Sequence, residues 1–269
     1  MFGPHDGTRV QVHPYRQMML FLMRGRNESA VYFEQRLELD KTIPWLAARR
    51  AKPFHLVLHA LASVLHERPR LNRFTVGRRT YQRTAVQLSF AAKKQLASDD
   101  APLATIKRRF APGETFADLV ANLTGEVASV RAEAPSAMDK ELRVLLALPG
   151  FVLAAGIAVL KRLYAWGLAP RALVDTDPLY ASAFVANLGS LKIDAAYHHL
   201  YEHGNCPLFV TIGQIADGHV TLRYTFDERV EDGHYCAGAL KLLAERIEDP
   251  ARFIISSTPV RPTTVIPRA

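Results

Sequence analysis

The sequence predicts an α/β protein built on a mixed sheet. Three observations carry this. Stretches alternating apolar and polar residues, such as ESAVYFEQRLELD at 28–40, coexist with runs of helical periodicity such as Pro53 to Leu65. Several strand-like stretches follow one another with no helix between them, which argues against a doubly wound parallel sheet. Near the C-terminus a strand-like run breaks at Asp232-Gly233 and hands over to a helix.

Each element has its own signal. In 28–40, Val31, Phe33, Leu37 and Leu39 share one face and Tyr32, Glu34, Arg36 and Glu38 the other. Pro53 opens a helix with the apolar stripe Phe54, Val57, Leu58, Leu61, Val64 and Leu65, and Pro69 closes it. His55 and His59 lie one turn apart there and read as ordinary helix residues. Residues 74–90 read as two short strands around a Val76-Gly77-Arg78 turn, the second carrying Ala85, Val86, Leu88 and Phe90. Leu103 to Ile106 reads as another short strand. Thr115 with Asp118 resembles a capping box for a helix running to about Arg131. Strands are expected at 182–188, 206–215 and 220–226, and a final helix carries Ala239, Leu240, Leu242, Leu243 and Ile247. Residues 1–254 read as one domain and 255–269, rich in Ser, Thr and Pro, as a loose tail.

Composition narrows the partners. The 269 residues are 49% hydrophobic and 22% charged, which is ordinary for a chain with a sizeable core. A net charge of +8 favours anionic partners such as nucleotides, phosphorylated cofactors and acidic lipid surfaces. No block of five or six basic residues and no nucleic-acid-binding motif is present, so nucleic acid is not expected. Cys206 and Cys236 make no disulfide framework and read as buried thiols of a cytoplasmic protein. The N-terminus has no signal-peptide core.

Val144 to Leu160 (VLLALPGFVLAAGIAVL) is seventeen residues without a charge, at the lower limit for spanning a bilayer. Pro149-Gly150 interrupts it, and Lys161, Arg162, Tyr164 and Trp166 follow as they would at a membrane interface. The alternatives are a buried or oligomer-facing helix, an interfacial or acyl-binding role with membrane or lipid contact through 144–166 that makes the protein peripheral at the inner face of a membrane, and a true span.

Four stretches together resemble the catalytic domain of the 2-oxoacid dehydrogenase acyltransferases (the E2 components), which share the chloramphenicol acetyltransferase fold. FDERVEDG, 226–233, is similar to that family's SFDHRxxDG, and FVANLGSLKID, 184–194, to its FTISNLGxxGI. CPLFVTIGQI, 206–215, resembles the strand ending in a G-V-G-like turn, and Arg16 lies seventeen residues before Phe33, like the family's N-terminal Arg before its first-strand aromatic. RPRLN, 68–72, is similar to its P-E-x-N turn. The likeness spans roughly 12–135 and 178–250, and 136–178 reads as an insertion.

The resemblance implies a two-layer sandwich with a mixed sheet and a homotrimer. The active site would lie between subunits, in a channel taking coenzyme A or acyl-CoA from one side and an unknown acyl acceptor from the other, with no bound metal. In the family a His deprotonates a thiol, a Ser beside the NLG turn stabilises the oxyanion, and the Asp of the DG pair is structural and pairs with an Arg. Here Asp232 and Gly233 stand, with Arg16 or Arg229 as partner for Asp232. Asn187, Leu188 and Gly189 also stand. The His position is Glu228 and the Ser position is Ala186. No lipoyl-carrying domain is expected, which sets the chain apart from a standard subunit of that family.

A lost general base costs about 10² to 10⁴ in rate, and a lost oxyanion donor about 10² to 10³. Glu228 itself, raised by burial, is one replacement base. His234 is another, although as the residue after the DG pair it reads more simply as a helix start. YHHLYEHGNC, 197–206, would stack His199 over His203 if helical, close to Cys206, as a relocated base or a zinc-like cluster; Gly204 and Pro207 favour a packed loop instead. Ser190, or less directly Ser182, could supply a displaced hydroxyl. The expected function is therefore a CoA-dependent acyltransferase-like protein, with a non-catalytic trimeric scaffold or regulatory pseudoenzyme as the alternative.

Overall fold

The computed structural model describes residues 3–93, 103–132 and 146–254. The proposed tail at 255–269 and the first part of the insertion, 136–145, lie outside the described residues.

The chain runs β1 (Gly7–Val10), α1 (Pro14–Leu22), β2 (Ala30–Glu38), α2 (Thr42–Ala48), α3 (Pro53–Glu67), a 3-10 turn (Pro69–Asn72), β3 (Arg73–Val76), β4 (Arg79–Arg83), β5 (Val86–Lys93), β6 (Leu103–Phe110) and α4 (Phe116–Ala132). After the undescribed stretch come α5 (Gly150–Trp166), α6 (Arg171–Thr176), β7 (Ala183–Asn187), β8 (Leu208–Ala216), β9 (His219–Asp227), α7 (Gly233–Glu248) and α8 (Pro250–Phe253).

The main sheet has the order β2-β9-β8-β7-β5-β6. β7 runs parallel to both β5 and β8, and the remaining pairs are antiparallel, so the sheet is mixed, as expected. Its inward side chains, including Leu37, Leu88, Val185, Val210, Leu222 and Tyr224, pack against the apolar stripes of α3, α4 and α7. This makes a two-layer sandwich. The alternation of 28–40 appears as predicted, with Leu37 and Leu39 buried while Tyr32, Glu34, Arg36 and Glu38 are exposed. α3 starts at Pro53, and its His55 accepts from the backbone N–H of Lys52 at 3.3 Å. Burial lowers the pKa of His55 and of His59, as suits ordinary helix residues.

Residues 74–90 depart from the expectation. They form three strands rather than two. β3 and β4 make a tight hairpin at Gly77 and Arg78, both with positive φ (54° and 63°), the geometry a two-residue turn needs to match strand twist. They join β1 in a separate three-stranded sheet, while β5 crosses into the main one. β6 is longer than the predicted 103–106, because it pairs with β5 as far as Phe110.

The segment that carries the apolar run docks on the small sheet. Tyr164, Ala169, Val174 and Tyr180 pack with Phe74 and Tyr81. A polar knot fastens the contact. Asp6 accepts from Tyr164 Oη at 2.8 Å, from Arg83 at 2.9 Å and from Asn205 Nδ2 at 3.0 Å, and Asn205 also bonds Tyr164. Pro149 caps α5, so the helix starts inside the apolar run and continues beyond it to Trp166. Among the described residues no helix is long and apolar enough to cross a membrane.

Leu88 is fully buried on β5 between the helical layer and the neighbouring strands. Leu88→Ala is expected to cost about 2–5 kcal/mol, read by urea denaturation followed by circular dichroism.

Candidate functional site

The turn from Asp227 to Asp232 is built on buried acids. Asp227, at the end of β9, is 1% exposed. It accepts from Ser29 Oγ at 2.8 Å and from Arg229 twice, Nε at 2.9 Å and Nη2 at 2.8 Å. Burial alone would lower the pKa of Arg229, and this bidentate pairing raises it instead. Arg26 approaches Asp227 at 4.0 Å and donates to the carbonyls of Tyr201 and Gly204.

Glu231 is equally buried and gathers three arginines: Arg70 Nε and Arg73 Nη1 at 3.3 Å, and Arg16 Nε at 3.8 Å. Arg68 and Arg70 lie over the Tyr235 ring at 4.4 and 4.0 Å.

Between these acids sits Glu228. Its N–H donates to Ser29 O at 2.9 Å, and its carbonyl accepts from Arg16 at 3.1 Å. The backbone is thus held from both sides. The half-buried carboxylate makes no hydrogen bond or ion pair among the described residues.

The expected pairing of Asp232 with Arg16 or Arg229 is not formed. Arg229 is taken by Asp227, and the carboxylate nearest Arg16 is Glu231. Asp232 instead caps α7, accepting from Tyr235 N at 2.8 Å, and that bond holds its carboxyl below the usual range. Gly233 and the exposed His234 begin the helix, as predicted for a helix-start residue.

The second part of the predicted site lies at the far end of β7. Leu188 N donates to Ile212 O, and Ser190 Oγ donates to Asn187 O at 2.8 Å. A Cβ on Gly189 would lie 2.3 Å from Gly213 O, so the NLG turn needs glycine to pack against the irregularity in β8. Ser182 is buried, and its Oγ accepts from Gln87 N.

The strand register separates the two parts. Ala186 lies opposite Thr211, which lies opposite Arg223. Four residues along β9 and two interstrand steps divide Ala186 from Asp227, roughly 16 Å. The NLG turn lies still further away, because β7 and β9 run in opposite directions. Glu228 therefore meets neither Ala186 nor Ser190 within one chain.

Residues 197–206 do not form the conditional helix. They belong to a coil across the outer face of the sheet, where Thr211 and Thr225 hydroxyls donate to the carbonyls of Ala196 and His198. The His198 ring stacks on Phe209 at 3.8 Å, and burial lowers its pKa. His199 is exposed beside His198, and His203 pairs with Asp177 at 2.7 Å. His199, His203 and Cys206 are not gathered, and among the described residues no group of three or more metal-ligating side chains could hold a metal ion. Sequence reasoning missed Asp227, Glu231, Arg70 and Arg73. The signal for them was a run of arginines at 68, 70 and 73 in a chain whose FDERVEDG turn carries several acids.

No protein-family profile matches the chain, and no curated protein matches it in sequence. Solved structures do match. Chloramphenicol acetyltransferase aligns with a TM-score of 0.57 at 12% identity, over 93% of this chain and 100% of that one. This chain has the chloramphenicol acetyltransferase fold. The dihydrolipoamide acetyltransferase of Azotobacter vinelandii shares the fold, with a TM-score of 0.56 at 14% identity over 91% of this chain and 94% of that one. The roles of a serine, a histidine and an asparagine four residues beyond the histidine have been investigated in its catalytic mechanism. The truncated catalytic core of the 2-oxoacid dehydrogenase complex from Thermoplasma acidophilum follows, with a TM-score of 0.55 at 14% identity over 90% and 99%. In this chloramphenicol acetyltransferase fold, α5 and the arginine-bound turn are built on the same two-layer body.

Glu231→Gln removes the buried counter-charge shared by three partly exposed arginines and is expected to cost about 2–3 kcal/mol, whereas Asp232→Ala, losing only a cap, should cost about 1 kcal/mol. Urea denaturation at pH 7 gives the order. Because the folded-state pKa of Asp232 is depressed, its contribution is present above the unfolded value and is lost as pH falls through the folded one. The difference between wild type and Asp232→Ala should hold from about pH 8 to 5 and shrink below about pH 4. Both thiols are buried, and burial pushes Cys206 up and Cys236 up to about 12. Neither should react with Ellman's reagent at pH 8 until the protein is denatured.

Proposed function

We propose that this protein is a coenzyme A-dependent acyltransferase-like protein working as a homotrimer, with the site completed between subunits. The observation that carries this is the register separation. The Glu228 turn and the NLG turn are both built, yet they stand roughly 16 Å or more apart in one chain. A second copy would bring one chain's turn to the other's NLG. The outer face of the sheet has the character of such an interface, with Tyr32, Tyr197 and Tyr201 exposed.

In this reading Glu228 is the general base. Its backbone is fixed by Ser29 and Arg16, and its carboxylate is uncommitted. Enclosure by a second subunit would raise its pKa toward a working range. Glu228 and Asp232 stand four apart, like the histidine and asparagine investigated in the Azotobacter enzyme. Acyl-CoA is the donor, and basic side chains meet its phosphates. The protein works in the cytoplasm, with residues 144–166 in contact with lipid at a membrane surface, where Phe151, Ile157 and Trp166 are exposed.

A second reading is a non-catalytic trimeric scaffold. Ala186 brings no hydroxyl, and that of Ser190 is engaged by Asn187 O.

Calorimetric titration with coenzyme A, acetyl-CoA and longer acyl-CoA thioesters tests the proposal, alongside sedimentation for the assembly state. Micromolar binding to a trimer is expected, and Glu228→Gln should lower acyl transfer by about 10² or more. Absence of binding at every chain length would favour the scaffold. Activity of the Glu228→His, Ala186→Ser double variant alone would show that the channel persists without native chemistry.

A further inference from the structure

Two concavities meet at the tip of the β3–β4 hairpin. One, of about 350 Å³, lies between the tip and α1, with Leu20, Phe21, Arg24, Arg78 and Arg229 on its walls. The other, of about 430 Å³, lies between the tip and α5, with Val76, Ala158 and Tyr180 on its walls and Lys161 and Arg162 among its lining residues. Thr75 and Gly77 line both, so the two adjoin at the tip as arms on either side of it. Each arm has the size of a small-ligand site.

The lining is apolar inside and basic around it. Arg229 is neutralised by Asp227, but Arg24, Arg78, Lys161 and Arg162 have no ion-pair partner among the described residues. Against these four positive charges stands one lining carboxylate, Glu202, which already accepts from Asn27 N at 3.1 Å. Arg78 lies over the Phe21 ring at 4.8 Å, spanning the outer part of the first arm.

The helix that walls the second arm is itself unusual. From Gly150 to Leu160 it carries no charge, and Phe151, Val152, Ile157 and Val159 are all exposed. Apolar surface on nearly every side of a helix calls for an apolar partner.

We propose that this cleft binds a single-chain anionic amphiphile, an acyl chain ending in a phosphate or carboxylate. The chain lies between Val76, Ala158 and Tyr180, and the head group meets Arg78, Lys161 and Arg162. Arg229 lines the first arm and is bonded to Glu228 in sequence, which makes the amphiphile the acyl group or acceptor of the reaction; that role, unlike the binding, rests on the acyltransferase reading.

The test is calorimetric titration of the full chain with lysophosphatidate below its micelle concentration. Lysophosphatidylcholine is the control for the head group, and phosphatidylcholine vesicles with and without phosphatidylglycerol are the control for a bilayer source. Saturable binding of one lysophosphatidate per chain is expected. It should weaken about tenfold with lysophosphatidylcholine, and about tenfold in the Lys161→Glu, Arg162→Glu variant. Ala158→Trp, which fills the second arm, should weaken it at least as much. Were that variant to unfold, the charge variant, at two exposed positions, would still decide. Equal binding of both lysolipids, binding to vesicles but not to monomeric lysolipid, or binding indifferent to the variants would each overturn the proposal. Lysophosphatidate binding without coenzyme A binding would sink the acyltransferase reading and leave the cleft standing. The converse result would sink the cleft alone.

Discussion

Buried carboxylates on a single turn must be neutralised, and much of the structure is arranged to do it. Asp227 and Glu231 are each about 1% exposed, a position an acid holds only if paired and hydrogen-bonded. Their partners come from distant parts of the chain. Ser29 and Arg26 precede β2, Arg16 lies in α1, Arg70 in the 3-10 turn and Arg73 in β3. The turn is therefore a junction where the end of β9 and the start of α7 are tied to α1, β2 and β3. Glu228 inherits its position from that junction, because its own carboxylate contributes no bond to it.

A second polar knot does for the insertion what the arginines do for the turn. Asp6, Arg83, Asn205 and the Tyr164 hydroxyl join the N-terminal segment, the small sheet, the loop before β8 and α5. Burial raises the pKa of Tyr164 well above its ordinary value, and its position beside Asp6 acts the same way, so the hydroxyl stays a donor. The C-terminal half of α5 is fastened by this knot and by the aromatic contacts of Tyr164 with Tyr180. The N-terminal half has no comparable attachment among the described residues, and Phe151, Val152 and Ile157 there are exposed. One helix thus has a fastened end, which lines the cleft through Ala158, Lys161 and Arg162, and an exposed apolar end beyond it.

How far the sequence could be read depended on the range of the forces involved. The alternation of 28–40, the start of α3 at Pro53, the break into a helix at Asp232-Gly233 and the Thr115 cap were legible because pleat, proline geometry and capping act within a few residues. The hairpin at Gly77 was seen, but its separation from β5 was not, since alternation does not say which sheet a strand joins. Histidines at 199 and 203 had helical spacing, yet the coil there spends its carbonyls on Thr211 and Thr225, and His203 pairs with Asp177. Asp232 was assigned an arginine, while the arginines went to Glu231 one residue away. Spacing alone cannot choose between neighbouring acids; burial can.

The sequence by itself determined the mixed α/β class and the order of most elements, and it set Glu228 and Ala186 within the two stretches that resemble motifs of the acyltransferase family. These follow from local periodicity, turn chemistry and residue identity. Only the tertiary structure decided which acid holds the arginines, that Glu228 and the NLG turn stand at opposite ends of the sheet, and that the C-terminal half of α5 walls a cleft with Lys161 and Arg162 in its lining. Each of these depends on strand register and on desolvation, which arise when segments far apart in the chain are packed together.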